Sequence, residues 1–214
     1  MGAGIGGLVG ALVQSPADLL AEANRPGRSP VARLTALAMG AMVVVGVVVA
    51  SFSGGMQMFV VPLKLCLGLA ACALLCLPSL YVFSSVAGAA QSVRETALAL
   101  AMGAALIGVL LVALAPVTWL FAQSTDTPAI MGALHVLALL VAAGVGIRLI
   151  AKVMQAFNGT PVAGVRTWGV MFVVVMLQMT TTLRPLVGEF DGLWHSERMF
   201  FLEHWVGPIP THRR

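Results

Sequence analysis

The stretch ALALAMGAALIGVLLVALAPVTWLFA, residues 97–122, runs for 26 residues without a charged side chain. A helix needs about 20 apolar residues to cross a hydrocarbon core of about 30 Å, so this stretch predicts a transmembrane helix. Four other apolar runs are about as long as one membrane crossing or longer, at residues 34–52, 59–87, 129–150 and 165–183. Together the five runs predict an all-α polytopic membrane bundle with five transmembrane helices.

The composition of the whole chain indicates the same class. Hydrophobic residues make up 59% of the 214 residues and charged residues 9%, against about 25% charged in a typical soluble domain. Transmembrane strands would alternate over about ten residues, whereas these runs are continuous, so helices are favoured. One membrane domain is expected, with residues 34–183 as the bundle, 1–33 as a cytoplasmic segment and 184–214 as an external tail.

The distribution of Lys and Arg predicts the orientation, because short cytoplasmic loops carry an excess of both. Before the fifth run, the opposite side of the membrane has only Lys64. We therefore expect a cytoplasmic N-terminus and an external C-terminus in a bacterial inner membrane. The net charge of +4 is explained by this bias, and no basic run interleaved with aromatics points to nucleic acid. The seven basic residues of the predicted cytoplasmic side are Arg25, Arg28, Arg33, Arg94, Arg148, Lys152 and Arg166.

Local signals add detail to this arrangement. The tetrapeptide SPAD at residues 15–18 has the pattern of a helix start and predicts a short interfacial helix that ends near Asn24. We expect Pro62 to mark the start of the second span. Pro78 is expected to kink that span, either for packing or as a hinge at a binding site. Trp168 is interpreted as an aromatic residue at the inner membrane interface.

Four polar residues fall in the outer third of the predicted bilayer: Lys64, Asp126, His135 and Gln178. Ionisable groups within a membrane are costly and tend to face the interior of a bundle. One hypothesis is therefore an outward-facing polar vestibule in which Lys64 and Asp126 pair. The alternative is that Lys64 snorkels and Asp126 lies in a water-exposed loop. In that case His135 and Gln178 make interhelical hydrogen bonds.

The chain offers few groups for catalysis or metal binding. Its cysteines, Cys66, Cys72 and Cys76, all lie in the second run without a neighbouring His, and a packing role is expected for them. In the tail, Glu197 and His204 share a helical face, but zinc sites usually have three or four ligands. The sequence shows no nucleophile with its base and no carboxylate pair. We therefore expect no enzymatic activity, no cofactor and no bound metal.

Four short segments carry a resemblance to known proteins. Residues 15–20 (SPADLL) and 78–81 (PSLY) resemble segments of the bacterial Yip1-like five-helix membrane proteins. Residues 178–186 (QMTTTLRPL) and 197–205 (ERMFFLEHW) are similar to the C-terminal part of bacterial membrane proteins of comparable length. The resemblance spans roughly residues 15–205. It implies a five-helix bundle with its N-terminus inside and its C-terminus outside, and it implies no catalytic residue.

The small number of polar groups within the runs favours a non-enzymatic role. We expect an accessory or scaffold subunit that lies in the lipid bilayer and packs against the transmembrane helices of a partner protein or of a second copy. The alternative is a small transporter or channel component that uses the polar vestibule. The candidate partner surface is the aromatic part of the tail, which contains Trp194, Phe200, Phe201 and Trp205.

Overall fold

The computed structural model describes residues 4–23, 30–53, 57–124 and 128–182. Within these ranges the chain is all-helical, which confirms the predicted class. Helices α3 to α6 are long and apolar enough to span a membrane, whereas α7, the fifth predicted span, is a shorter apolar helix. The seven helices of the described ranges are α1 (Ile5–Gln14), α2 (Pro16–Ala23), α3 (Val31–Ser53), α4 (Gln57–Val86), α5 (Val93–Ser124), α6 (Pro128–Asn158) and α7 (Gly164–Thr182).

The five long helices pack in the spatial order α7, α4, α3, α5, α6, and a smaller contact between α6 and α7 closes the ring. The most apolar part of α5 is 61% buried, whereas that of α4 is 28% buried, so α5 is a core helix and α4 a peripheral one. The bundle has two ends. We call the end where α4 joins α5 and α6 joins α7 the turn end, and the opposite one the far end.

Two glycines bring α5 and α6 into close contact. A Cβ atom at Gly103 would lie 2.5 Å from the side chain of Ile150, and one at Gly146 would lie 2.5 Å from the side chain of Ile107. Helices in membranes associate largely through such close packing, because lipid tails provide no hydrophobic driving force between them. The α5–α6 crossing therefore depends on the absence of a side chain at both glycine positions.

Both prolines of α4 lie inside the helix, which is continuous from Gln57 to Val86. The expectation that Pro62 marks the start of this span is wrong by five residues, since the helix begins at Gln57. Pro62 instead packs against Gly46 of α3. Prolines are tolerated inside membrane helices where the surroundings satisfy the freed backbone groups.

Helix-capping contacts define the turn between α4 and α5. After α4, the N–H of Ala89 donates to the carbonyl of Ser84 at 3.0 Å, with Gly88 in the left-handed region at a φ of 86°. Before α5, the N–H of Ser92 donates to Oε2 of Glu95 at 2.7 Å, and the N–H of Glu95 donates to Oγ of Ser92 at 3.3 Å. This reciprocal pair is a capping box, so local sequence specifies both helix ends.

The N-terminal segment forms two short helices that pack on the bundle. The start of α2 at Pro16 confirms the predicted helix start, and α1 is an additional helix that precedes it. Leu12 and Leu19 are buried in the main hydrophobic core. Nη2 of Arg33 donates to Oε1 of Glu22 at 2.7 Å, which connects α2 to the first turn of α3.

Candidate functional site

Lys64 is the most deeply buried of the predicted vestibule residues that the structure describes. It lies on α4, two residues after Pro62 contacts α3, and only 7% of its surface is exposed. Buried cations are rare in membrane helices, because a charge is costly to remove from water. Lys64 therefore faces neighbouring helices over most of its length.

Gln178 lies on α7, which packs against α4, and it is half-buried. The two helices run antiparallel, with Trp168 of α7 against Cys76 and Ser79 of α4. Gln178 is ten residues beyond Trp168 on α7, which makes it level with about residue 68 of α4. Lys64 is four residues from that level, so the two residues are separated by roughly 6 Å along the helix axis. The structure thus places Lys64 and Gln178 on adjacent helices in the same half of the bundle.

His135 lies on a different pair of helices, because α6 packs mainly on α5. Its Nδ1 atom is buried and has no hydrogen-bond partner among the described residues. The convergence of His135, Lys64 and Gln178 on one cavity stays a prediction. The remaining predicted residues lie outside the described ranges: Asp126 of the vestibule, and Trp194, Phe200, Phe201 and Trp205 of the tail.

A shallow groove between α5 and α6 lies toward the far end. Among the residues that line it, only Thr118 is polar, and its hydroxyl donates to the carbonyl of Ala115 in the same helix at 2.9 Å. The groove therefore suits apolar contacts more than a hydrophilic solute. Its lining consists of Leu114, Val117, Thr118, Leu134, Leu137, Ala138 and Val141.

Trp168 makes a buried polar contact between α7 and α4. Its indole Nε1 donates to the carbonyl of Cys76 at 3.2 Å and to Oγ of Ser79 at 3.1 Å. The Trp168 ring is 0% exposed, and its centroid lies 5.1 Å from that of Phe172. Trp168 is thus enclosed by the bundle with its N–H satisfied by α4, and its position at the depth of the inner interface stays a prediction.

A second polar cluster, around Asn158, joins the two turns. Oδ1 of Asn158 accepts from the N–H of Ala90 at 2.9 Å, and Nδ2 donates to Oε1 of Gln91 at 3.1 Å and to the carbonyl of Met154 at 2.8 Å. Nε2 of Gln91 and Oγ of Ser84 are buried and have no partner among the described residues. The end of α6 is thereby fastened to the turn between α4 and α5.

The three cysteines lie among packed helices, as expected. The sulfur atoms of Cys72 and Cys76 are 3.9 Å apart and buried, and the thiol of Cys66 lies 3.7 Å from the carbonyl of Met39. In the part of the chain that the structure describes, no group of three or more His, Cys, Asp or Glu residues could hold a metal ion. The Cys72–Cys76 contact lies within α4, whereas the thiol of Cys66 contacts the backbone of α3, and all three thiols contribute packing.

The fold and these contacts define a multi-pass helical membrane protein. Its described bundle is held by close helix crossings and by two polar clusters near the turn end. Comparisons with protein families, with curated proteins and with solved structures find no match to this chain.

Proposed function

We propose that this chain is a non-enzymatic accessory or scaffold subunit that packs against the transmembrane helices of a partner protein. In this proposal α7 is the fifth span, the N-terminus is cytoplasmic and the membrane is the bacterial inner membrane. The length of α7, 19 residues, supports a fifth span, since it corresponds to about 28 Å of helix. The resemblance to Yip1-like proteins supports the same arrangement.

The observation that carries the proposal is an apolar stripe along α4, defined by Phe59, Leu63, Leu67, Leu74, Val82 and Val86. Each of these side chains is at least 56% exposed, and Phe59 and Val86 at the two ends are 80% and 84% exposed. Phe59, Leu63, Leu67 and Leu74 lie within about 80° of one another around the helix, and the stripe then winds so that Val86 lies about 180° from Phe59. The stripe extends over about 40 Å, whereas a helix perpendicular to the bilayer crosses about 30 Å of hydrocarbon. Tilting of α4 accommodates the excess length, and a partner helix packed on the stripe would cover its exposed side chains.

The packed interior also supports a scaffold role. The α5–α6 crossing is closed by the Gly103 and Gly146 contacts, and the groove beside it is apolar. A subunit that moves a hydrophilic solute needs polar groups along its path. A bundle with a tightly packed core and an exposed α4 stripe is better suited to holding other helices in place.

The experiment is affinity purification of the tagged full chain from its native membranes in a mild detergent, followed by mass spectrometry. We expect the wild-type chain to recover one membrane protein at fixed stoichiometry. The L67A/L74A variant, which shortens two side chains of the stripe, should recover clearly less of that protein. The matched control is V170A/V174A on α7, where both side chains are also at least half exposed. Recovery of the chain alone, or equal loss in the control, would contradict the proposal.

The second candidate is a transporter or channel component, and the burial of Lys64 near the level of Gln178 favours it. Its test is the labelling of K64C by a membrane-impermeant thiol reagent, after Cys66, Cys72 and Cys76 have been replaced with Ala. Labelling from the external side would support a water-filled vestibule. Protection of K64C in intact vesicles, with labelling restored after the membrane is dissolved, would oppose it.

A further inference from the structure

α6 and α7 cross closely near the turn end. A Cβ atom at Gly169 of α7 would lie 2.9 Å from the side chain of Ile147 on α6. The backbones therefore approach without an intervening side chain on α7. Side chains that flank this contact on the two helices are close enough to bind one small ligand together.

Two exposed cations flank the crossing, Arg148 on α6 and Arg166 on α7, and exposed Lys152 lies one turn beyond Arg148. We call these three residues the basic groove. Successive residues of a helix are about 100° apart around its axis. Arg148 follows Ile147 and lies on the side of it opposite Gly146, the residue that contacts α5. Lys152, four residues after Arg148, lies about 40° further round α6 and about 140° from Ile147, so only its long side chain extends back toward the crossing.

Arg166 lies on the corresponding outer side of α7. Arg166 precedes Gly169 by three residues, a rotation of about 300°, so the two residues lie about 60° apart around the helix. Arg166 is on the side of Gly169 that is away from Trp168. Trp168 faces α4 in the interior of the bundle. Arg166 and Arg148 therefore flank the same outer surface of the α6–α7 crossing.

The three cations also lie at one height along the bundle. Because α6 and α7 are antiparallel and Ile147 is level with Gly169, Arg166 is level with residue 150 of α6. Arg148 and Lys152 lie two residues to either side of that level, about 3 Å along the axis. A single phosphate group is small enough to contact cations arranged within this distance.

The height corresponds to the edge of the hydrocarbon layer. The α6 span extends over Gly132–Asn158, and a hydrocarbon crossing of about 20 residues from Gly132 ends near residue 151. That position lies between Arg148 and Lys152. The basic groove is thus at the depth of the lipid headgroups.

No carboxylate neutralises the basic groove in the described part of the chain. Glu22 pairs with Arg33, Glu95 is engaged in the capping box with Ser92, and no ion pair involves a residue of the groove. Three uncompensated cations in a small area attract an anion. The anion present at this depth in a bilayer is a lipid phosphate.

We infer that the basic groove binds the phosphate headgroup of one anionic phospholipid. The guanidinium groups of Arg148 and Arg166 provide paired donors for phosphate oxygens, and Lys152 supplies a third positive charge. The site differs from a diffuse excess of basic residues, because two helices contribute cations at one position. It does not depend on the accessory-subunit proposal.

The test uses the full chain in nanodiscs of phosphatidylcholine with a minority of phosphatidylglycerol, followed by native mass spectrometry of the lipids that stay bound. We expect the wild type to retain phosphatidylglycerol selectively. Each removed cation should weaken retention about fivefold, so R148Q/K152Q/R166Q should weaken it on the order of a hundredfold. All three positions are exposed, so the variant should unfold at the same temperature as the wild type.

The control variant is R94Q, which removes an exposed cation from the first turn of α5 at the same end of the bundle. We expect R94Q to retain phosphatidylglycerol like the wild type. If R94Q loses as much phosphatidylglycerol as any single groove variant does, then overall charge, and not the groove, attracts the lipid. Unchanged retention in the triple variant would also overturn the inference.

Inorganic phosphate distinguishes a lipid headgroup from a soluble anion. In lipid-free detergent, we expect added phosphate to raise the unfolding temperature of the wild type and of the triple variant equally. A larger rise in the wild type, together with no preference for phosphatidylglycerol, would assign the groove to a soluble phosphate and overturn the lipid assignment.

Discussion

Trp168 and Asn158, near the turn end, differ from His135, toward the far end, in how their polar atoms are satisfied. Near the turn end, Trp168 and Asn158 donate to partners on other parts of the chain at 3.2 Å or less. Toward the far end, the Nδ1 atom of His135 has no partner among the described residues, and the α5–α6 groove is apolar. The comparison shows that Trp168 and Asn158 connect helices near the turn end, whereas His135 has a buried nitrogen without a described partner toward the far end. Variants at the two ends should therefore have unequal effects.

The largest effect is expected for W168A near the turn end. Removing a buried tryptophan from a packed core costs about 3–5 kcal/mol of unfolding free energy. The measurement is a titration from a mild detergent into SDS, with helix content as the signal. The matched control is W119A toward the far end, where the tryptophan is 49% exposed. We expect it to change the unfolding free energy by less than about 1 kcal/mol. Similar losses of unfolding free energy in W168A and W119A would contradict the difference between the two ends.

A smaller effect is expected for G146A at the α5–α6 crossing. The new methyl group would lie 2.5 Å from Cγ1 of Ile107, and overpacking of this kind costs about 1–3 kcal/mol. The same titration gives the change. G144A is the control, because a Cβ atom there meets nothing within 4 Å. I107A combined with G146A should recover part of the lost stability. A loss of the same size in G144A would refute close packing as the cause.

A still smaller loss of unfolding free energy is expected for N158A, which removes the connection between the two turns. It leaves the N–H of Ala90 and the side chain of Gln91 without their partner, which costs about 1–2 kcal/mol. Hydrogen exchange of the Ala90 amide should also accelerate. Q155A, at an exposed position one turn earlier on α6, should change neither quantity. Unchanged exchange at Ala90 in N158A would show that Asn158 does not fasten this turn.

The smallest effect is expected for H135L toward the far end. A buried polar atom without a partner is unfavourable, so its replacement with an apolar side chain should leave stability within about 0.5 kcal/mol or increase it. Thermal unfolding in the same detergent measures the change. A loss greater than about 1 kcal/mol would show that His135 makes an important contact, and would favour the polar vestibule.

The same contrast explains how much of the molecule is predictable from its sequence. Hydropathy alone places α3 to α6, because each is a long local signal, and the SPAD motif at residues 15–18 marks the start of α2. The bond from Trp168 to Cys76 joins positions 92 residues apart, and no local pattern encodes such a pairing. A buried indole N–H needs an acceptor, but no signal in the sequence showed that Trp168 is buried.

Asn158 shows the same limit at a helix end. The dipeptide Asn158-Gly159 after a long apolar run is a recognisable signal for the end of a helix. Its hydrogen bonds to the turn after α4 depend on how α4, α5 and α6 meet in space. For the candidate site, the sequence picked out Lys64 because ionisable residues are rare in spans. It did not predict that Lys64 and His135 would lie on separate helix pairs.

The measurement that tests the accessory-subunit proposal most directly is photocrosslinking in intact native membranes. A photoreactive amino acid is placed at Leu74, which is 76% exposed in the α4 stripe, at Val170 on α7, which is 67% exposed, and at buried Leu80. We predict a protein adduct of one defined mass at Leu74 and none at Val170 or Leu80. Lipid adducts alone at Leu74 and Val170 would contradict the proposal, because the stripe would then face only the bilayer.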